Sequence, residues 1–169
     1  MVWCVLTCTD TDIGWHTCGG YPGLEGYETR DIETFASWGI DSLKVDGCYA
    51  NAKSMNVTYP QLSEILVNAS IKYNQPIVYS CSWPGRALLI VLFFSLIHNL
   101  AYAQGSGYPI QYQLMAQYCN MWRNYGDITS DWWGVANIID FWGEANGVDY
   151  NNFVNVARPG AINDPDQAS

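Results

Sequence analysis

Strand ends recur at a regular pitch along this chain, and that pitch limits its fold more than any other feature. Asp41–Val45 runs into Asp46-Gly47, Pro76–Tyr79 into Ser80-Cys81-Ser82, and Asn120–Tyr125 into Asp127. Phe153–Ala157 leads to Pro159-Gly160 and then Asn163-Asp164-Pro165-Asp166. Asp12 to Asp46 is 34 positions, Asp46 to Ser82 is 36, Ser82 to Asp127 is 45 and Asp127 to Asp164 is 37. Apolar residues at helical spacing fill the intervals at Thr29–Trp38, Tyr59–Tyr73 and Ser130–Trp142. Pro60 suits the first turn of its helix, and Ser130 with Asp131 suits a cap. Alternating units of this size predict a parallel sheet. An eight-unit barrel uses roughly 31 residues per unit. The predicted fold is therefore α/β, a partial (β/α)8 TIM barrel of about five βα units, too few to close eight strands. An open doubly wound sheet shares the alternation, but the chain has no G-x-G-x-x-G or Walker loop.

With 49% hydrophobic and 14% charged residues the chain has a packed globular composition. Its net charge of −9 repels phosphate backbones, which argues against nucleic acid and for a neutral substrate at acidic pH. Six cysteines (Cys4, Cys8, Cys18, Cys48, Cys81 and Cys119) allow more pairings than sequence alone can choose between. Sequons at Asn56-Val57-Thr58 and Asn68-Ala69-Ser70 join the cysteines in pointing to the secretory route. Met1–Asp10 does not read as a signal peptide, so a missing N-terminus is expected. The apolar run Ala87–Ile97 falls short of the about 20 residues of a membrane span.

Cleaving a glycosidic bond takes two carboxylates across the anomeric carbon, about 5–5.5 Å apart when one attacks it directly. Asp46 and Asp127 suit that work, each ending a strand with a cation nearby: Lys44 two residues before the first, Arg123 four before the second. Residues two apart on a strand share a face, so Lys44 and Asp46 both point into the mouth, where the cation favours the ionised carboxylate a nucleophile needs. An Asp-Gly pair opening an ordinary loop has the same spelling, and spacing alone weighs the two readings equally.

The wording of the motifs decides. Leu43-Lys44-Val45-Asp46-Gly47-Cys48-Tyr49 resembles the nucleophile strand of glycoside hydrolase family 27, the α-galactosidases and α-N-acetylgalactosaminidases. Thr34–Gly39 ahead of it, Ser80-Cys81-Ser82-Trp83-Pro84, Tyr118–Ile128 and Asn163–Asp166 are similar to that family's segments in the same order. The resemblance implies Asp46 as nucleophile, Asp127 as acid/base, Lys44 and Arg123 on sugar hydroxyls, and disulfides Cys18–Cys48 and Cys81–Cys119. Cys4 and Cys8 have no counterparts. It further implies that Ser82, where α-galactosidases carry Glu, leaves room for a 2-acetamido group. The expected substrates are terminal α-galactosyl or α-N-acetylgalactosaminyl glycoconjugates, with no metal or cofactor. A lysosomal or secreted location, and a homodimer when full length, are also implied. No C-x-x-C occurs, and His16 and His98 read as surface or loop residues. Trp83, Trp122, Trp132, Trp133 and Trp142 are divided between sugar stacking and core packing.

The chain also departs from the family. Residues 1–169 read as one incomplete catalytic barrel lacking the family's first two strands and everything after Asp166. Met1–Asp10 does not match, and Asp10 stands where a sugar-contacting Tyr is expected. Gly85–Leu100 reads as an insertion of retained-intron character that displaces Ala101-Tyr102 from Trp83-Pro84. Removing its 16 residues shortens the 45-position interval to 29, close to the barrel pitch. Short of a closed barrel, the isolated chain is expected to lack turnover. An inactive truncated relative with at most carbohydrate binding is the alternative reading.

Overall fold

The computed structural model describes residues 6–51, 54–82, 112–123, 127–142 and 155–164. Its elements in chain order are β1 (Cys8–Asp12), α1 (Glu28–Ser37), β2 (Ser42–Asp46), α2 (Met55–Tyr73), β3 (Val78–Cys81), α3 (Tyr112–Tyr118), β4 (Met121–Trp122), α4 (Trp132–Trp142) and β5 (Ile162–Asn163). All five strands lie in one sheet in the order β1-β2-β3-β4-β5, every neighbour parallel. A doubly wound sheet reverses its strand order at a switch point, and this sheet has no reversal. Successive crossovers of one hand place the helices on one face and roll the other into a barrel interior. The structure thus decides for the barrel, present here in part.

Local chemistry sets the elements. Ile32 and Ala36 form the buried stripe of α1, with Glu28 and Asp31 at its positive end. Gly39, at φ 75°, ends the helix by donating its N–H to the Ala36 carbonyl. Met55, Tyr59, Leu62, Leu66 and Ala69 bury one stripe of α2. Asn74 stops that helix in the left-handed conformation. Since α2 starts at Met55, Pro60 sits inside the helix, not in the first turn the sequence predicts. Asp131 does cap α4: its Oδ1 accepts the Gly134 N–H at 2.9 Å, and its carboxyl titrates below the usual range because of that bond. Leu43, Val45, Tyr79, Cys81 and Trp122 fill the layer between sheet and helices.

Two expectations need correction. The last described strand is Ile162–Asn163; of the expected strand Phe153–Ala157 the described part, Asn155–Ala157, is a turn, and its first two residues lie outside the described residues. Apolar content marks the earlier run, yet Pro159 lacks an N–H and Gly160 takes φ 81°, so the chain turns there before pairing. The carbonyls of Asn120 and Trp122 then receive the N–H groups of Ile162 and Asp164. The sequence reading also missed α3, although Tyr112, Met115 and Ala116 are buried at helical spacing. Gly85–Leu100, with its apolar run, and Ala101-Tyr102 lie outside the described residues. No helix among the described residues is long and apolar enough to cross a membrane.

Candidate active site

Register carries the polar residues to one side. Asp10 pairs with Lys44, Lys44 with Ser80, and Ser80 with Met121, while Asp12 pairs with Asp46 one layer nearer the carboxyl ends. Paired residues of parallel neighbours face the same way, so these side chains project from the face opposite the helices. Ser82, Arg123 and Asp164 follow the same alternation just past β3, β4 and β5, tied down by N–H bonds to the carbonyls of Val45, Cys81 and Trp122. The carboxyl ends of the strands thus form one rim.

Lys44 is shared on that rim: its Nζ lies 3.9 Å from Asp46 Oδ2 and 3.8 Å from Asp10 Oδ2. The Gly47 N–H donates to Asp46 Oδ1 at 3.0 Å, turning the carboxylate at the strand end. The Asp46 side chain keeps 21% of its surface exposed, enough for a reactant to reach it. Asp127 forms an ion pair with Arg123, whose own side chain is buried. Eight of the sequence-nominated residues therefore arrive as two ion pairs, Lys44–Asp46 and Arg123–Asp127, and two disulfides, Cys18–Cys48 and Cys81–Cys119. Ser82 is buried, and its Oγ has no hydrogen-bond partner among the described residues. A buried hydroxyl in that state is uncommon and is satisfied cheaply by a ligand or water. Of the tryptophans, Trp122 belongs to the core, while Trp132 and Trp133 are exposed on α4.

Two carboxylates that the sequence reading gave no role also belong to the rim. Asp12 is buried and accepts the Cys48 N–H at 2.9 Å and the Cys18 N–H at 3.1 Å, so it ties together the loops after β1 and β2. Desolvation raises its carboxyl above the ordinary range against those two bonds, with Asp46 and Asp10 adding to the rise. Asp10 is also raised, first by desolvation within the concave face; Lys44 opposes the rise and Asp46 adds to it. The Asp10-Thr11-Asp12 alternation was the available signal, since both acids fall on one face of a strand. Asp12, Cys18 and Cys48 are the one cluster with metal-ligand proximity among the described residues, but both sulfurs are spent in a disulfide.

A parallel βα sheet that collects carboxylates and cations at its carboxyl ends belongs to the class of barrel enzymes. Within that class the chain belongs to the alpha galactosidase A family of glycoside hydrolases, whose family model matches residues 6–168. It is 41% identical over 157 residues to an alpha-N-acetylgalactosaminidase of Gallus gallus, covering 92% of this chain and 33% of that protein. It is 37% identical over 159 residues to alpha-galactosidase A of Homo sapiens, covering 92% of this chain and 30% of the relative. The crystal structure of alpha-galactosidase I from Mortierella vinacea shares the fold at TM-score 0.62 and 24% identity, over 96% of this chain and 38% of the other. The chain spans about a third of the length of the curated relatives it matches.

Proposed function

We propose that the full-length protein is a retaining exo-α-glycosidase that removes terminal α-linked galactose or N-acetylgalactosamine from glycoconjugates. The observation that carries this reading is Asp46: a strand-end carboxylate, turned by Gly47, beside Lys44 and open to the barrel mouth. In the proposed first step an Asp46 oxygen attacks the anomeric carbon while Asp127 passes its proton to the departing oxygen. In the second, Asp127 takes a proton from water, which attacks the same carbon and frees Asp46. Two inversions leave the α configuration intact. Lys44, beside the nucleophile, and Arg123 orient sugar hydroxyls.

Ser82 supports preference for the N-acetylated sugar, because a small buried side chain leaves space beside C2 where a Glu would intrude. Two disulfides and the exposed sequon asparagines Asn56 and Asn68 support a lysosomal or secreted location. Proton NMR of the first sugar released by the full-length protein tests the mechanism. The α-anomer should appear first; a β-anomer, or no hydrolysis of either α-glycoside, rules the reading out.

A further inference from the structure

An aromatic group stands on the same rim, and the reaction steps above leave it unused. Trp15 lies three residues past the end of β1 and Tyr49 three past the end of β2, and the His16 ring completes a triangle with theirs. The ring centroids of Trp15 and His16 are 4.2 Å apart, those of His16 and Tyr49 5.7 Å, and those of Trp15 and Tyr49 5.8 Å, the last pair edge to face. Trp15 is 58% exposed and Tyr49 54%. Large aromatic surface facing water on a strand-end loop is costly unless something covers it.

The support under the rings is rigid. Cys18–Cys48 joins the two loops, and Asp12 accepts N–H groups from both sides of that bond. The Ile13 N–H donates to the Asp46 carbonyl at 2.9 Å. A side chain on Gly14 would collide with the backbone of Cys48 and Tyr49, so the loops meet backbone to backbone. The first loop folds as a small hairpin, with a bridge between His16 and Pro22 and a Thr17–Tyr21 bond of 2.7 Å. Tyr49 takes φ 54°, a left-handed conformation that residues with a side chain adopt at a cost. Such strain is maintained where the surroundings fix a side chain's direction. His16 Nδ1 is held 2.7 Å from the Trp15 carbonyl, which fixes the imidazole ring.

Other exposed aromatics lack this combination. Trp38 packs on Phe35 at the far end of α1, and Trp132 and Trp133 are exposed in the first turn of α4. We propose that Trp15, His16 and Tyr49 form a carbohydrate-stacking subsite for the leaving-group side of the substrate, the sugar next to the bond cleaved. A pyranose presents an apolar C–H face that matches an aromatic plane, and rings already fixed in place lose little entropy on binding it. Contiguity with Asp46 along the rim assigns the occupant: the group extending outward from the anomeric carbon. The identity of that ligand rests on the glycosidase reading above.

The experiment compares full-length wild type, Trp15→Ala and Trp15→Phe on two substrates. One is an α-glycosyl fluoride of the favoured sugar, which has no leaving-group sugar. The other is a trisaccharide ending in the same sugar. Trp15→Ala should lower kcat/KM on the trisaccharide about tenfold, leave the fluoride unchanged, and be largely rescued by Trp15→Phe. Equal losses on both substrates, or none on the trisaccharide, overturn the assignment. If the wild type leaves the fluoride intact, the glycosidase reading fails, and a titration with the free leaving-group disaccharide judges the subsite alone. Saturable quenching of tryptophan fluorescence that disappears in Trp15→Ala upholds it; no quenching, or the same quenching in that variant, overturns it.

Discussion

The two halves of the rim are built differently. On the β1–β2 side the strands are five residues long, and Asp46 is the last residue of its strand, with 21% of its side chain exposed. On the β4–β5 side the strands are two residues long, and Asp127 lies five positions beyond Trp122 with 62% of its side chain exposed. A disulfide and a buried carboxylate staple the first pair of loops. Asp127 instead forms an ion pair with Arg123, four residues before it on the same segment. The difference suits the proposed division of work. A nucleophile must approach one carbon along one line, and small misplacements are costly. An acid/base group must serve first a departing oxygen and then a water, which a more open placement accommodates.

The sharpest way to break this comparison is to neutralise each carboxylate in the full-length protein. Asp46→Asn should cut turnover by at least about a thousandfold on every substrate, since no attacking oxygen remains. Asp127→Asn should cost about 10²–10⁴-fold on natural glycosides and far less on substrates with activated leaving groups. Equal losses for the two variants across leaving groups would remove the asymmetry.

Ser82→Glu tests the rim between the halves. It should reverse the preference from the N-acetylated to the plain galactoside, by roughly 10- to 200-fold in kcat/KM ratio. A wild type that ignores the N-acetylated substrate would sink the Ser82 argument.

The two disulfides offer a comparison by stability. Replacing Cys18 and Cys48 with Ser should lower unfolding free energy by about 2–4 kcal/mol. The same change at Cys81 and Cys119 should cost more, because both are buried and each new hydroxyl needs a partner in the core. Denaturant midpoints decide, and the reverse order would contradict the burial argument.

A smaller effect concerns pH. Asp12 has a folded-state pKa above its ordinary 3.8, so between those values the native state binds more protons than the unfolded one. Its stability contribution is complete below 3.8 and declines as pH rises through the raised native value. Asp10 acts in the same direction, and exposed Asp131, lowered by the Gly134 N–H, acts in the opposite one. Asp12→Asn should therefore flatten the fall in melting temperature on raising pH from mildly acidic to neutral. An unchanged slope would mean that Asp12 does not titrate differently on folding.

Much of this architecture can be read in the sequence because strand ends are written in residue types. Leu43-Lys44-Val45-Asp46 alternates core and rim, and the structure buries Leu43 and Val45 while leaving Lys44 and Asp46 accessible. Reading failed where apolar content and pairing separate. Phe153–Ala157 has the composition of a strand, yet its described part, Asn155–Ala157, turns, and backbone partners choose the shorter Ile162–Asn163. The role of Asp12 was invisible for a related reason. Its partners are main-chain N–H groups at Cys18 and Cys48, six and 36 positions away, and main-chain donors leave no mark in a sequence.

The unreversed strand order has a consequence for how the protein is made. Each described strand after the first pairs with the one synthesised just before it, so this part of the sheet extends in the order in which the ribosome delivers it. Both disulfides obey the same rule: each joins neighbouring units, across 30 and 38 positions, so neither bond waits for a distant part of the chain. A nascent chain arrested once β2 and its loop have emerged should already hold Cys18–Cys48, a state that trapping of free thiols would register. Oxidation can then track translation, and misbridged forms have little time to accumulate.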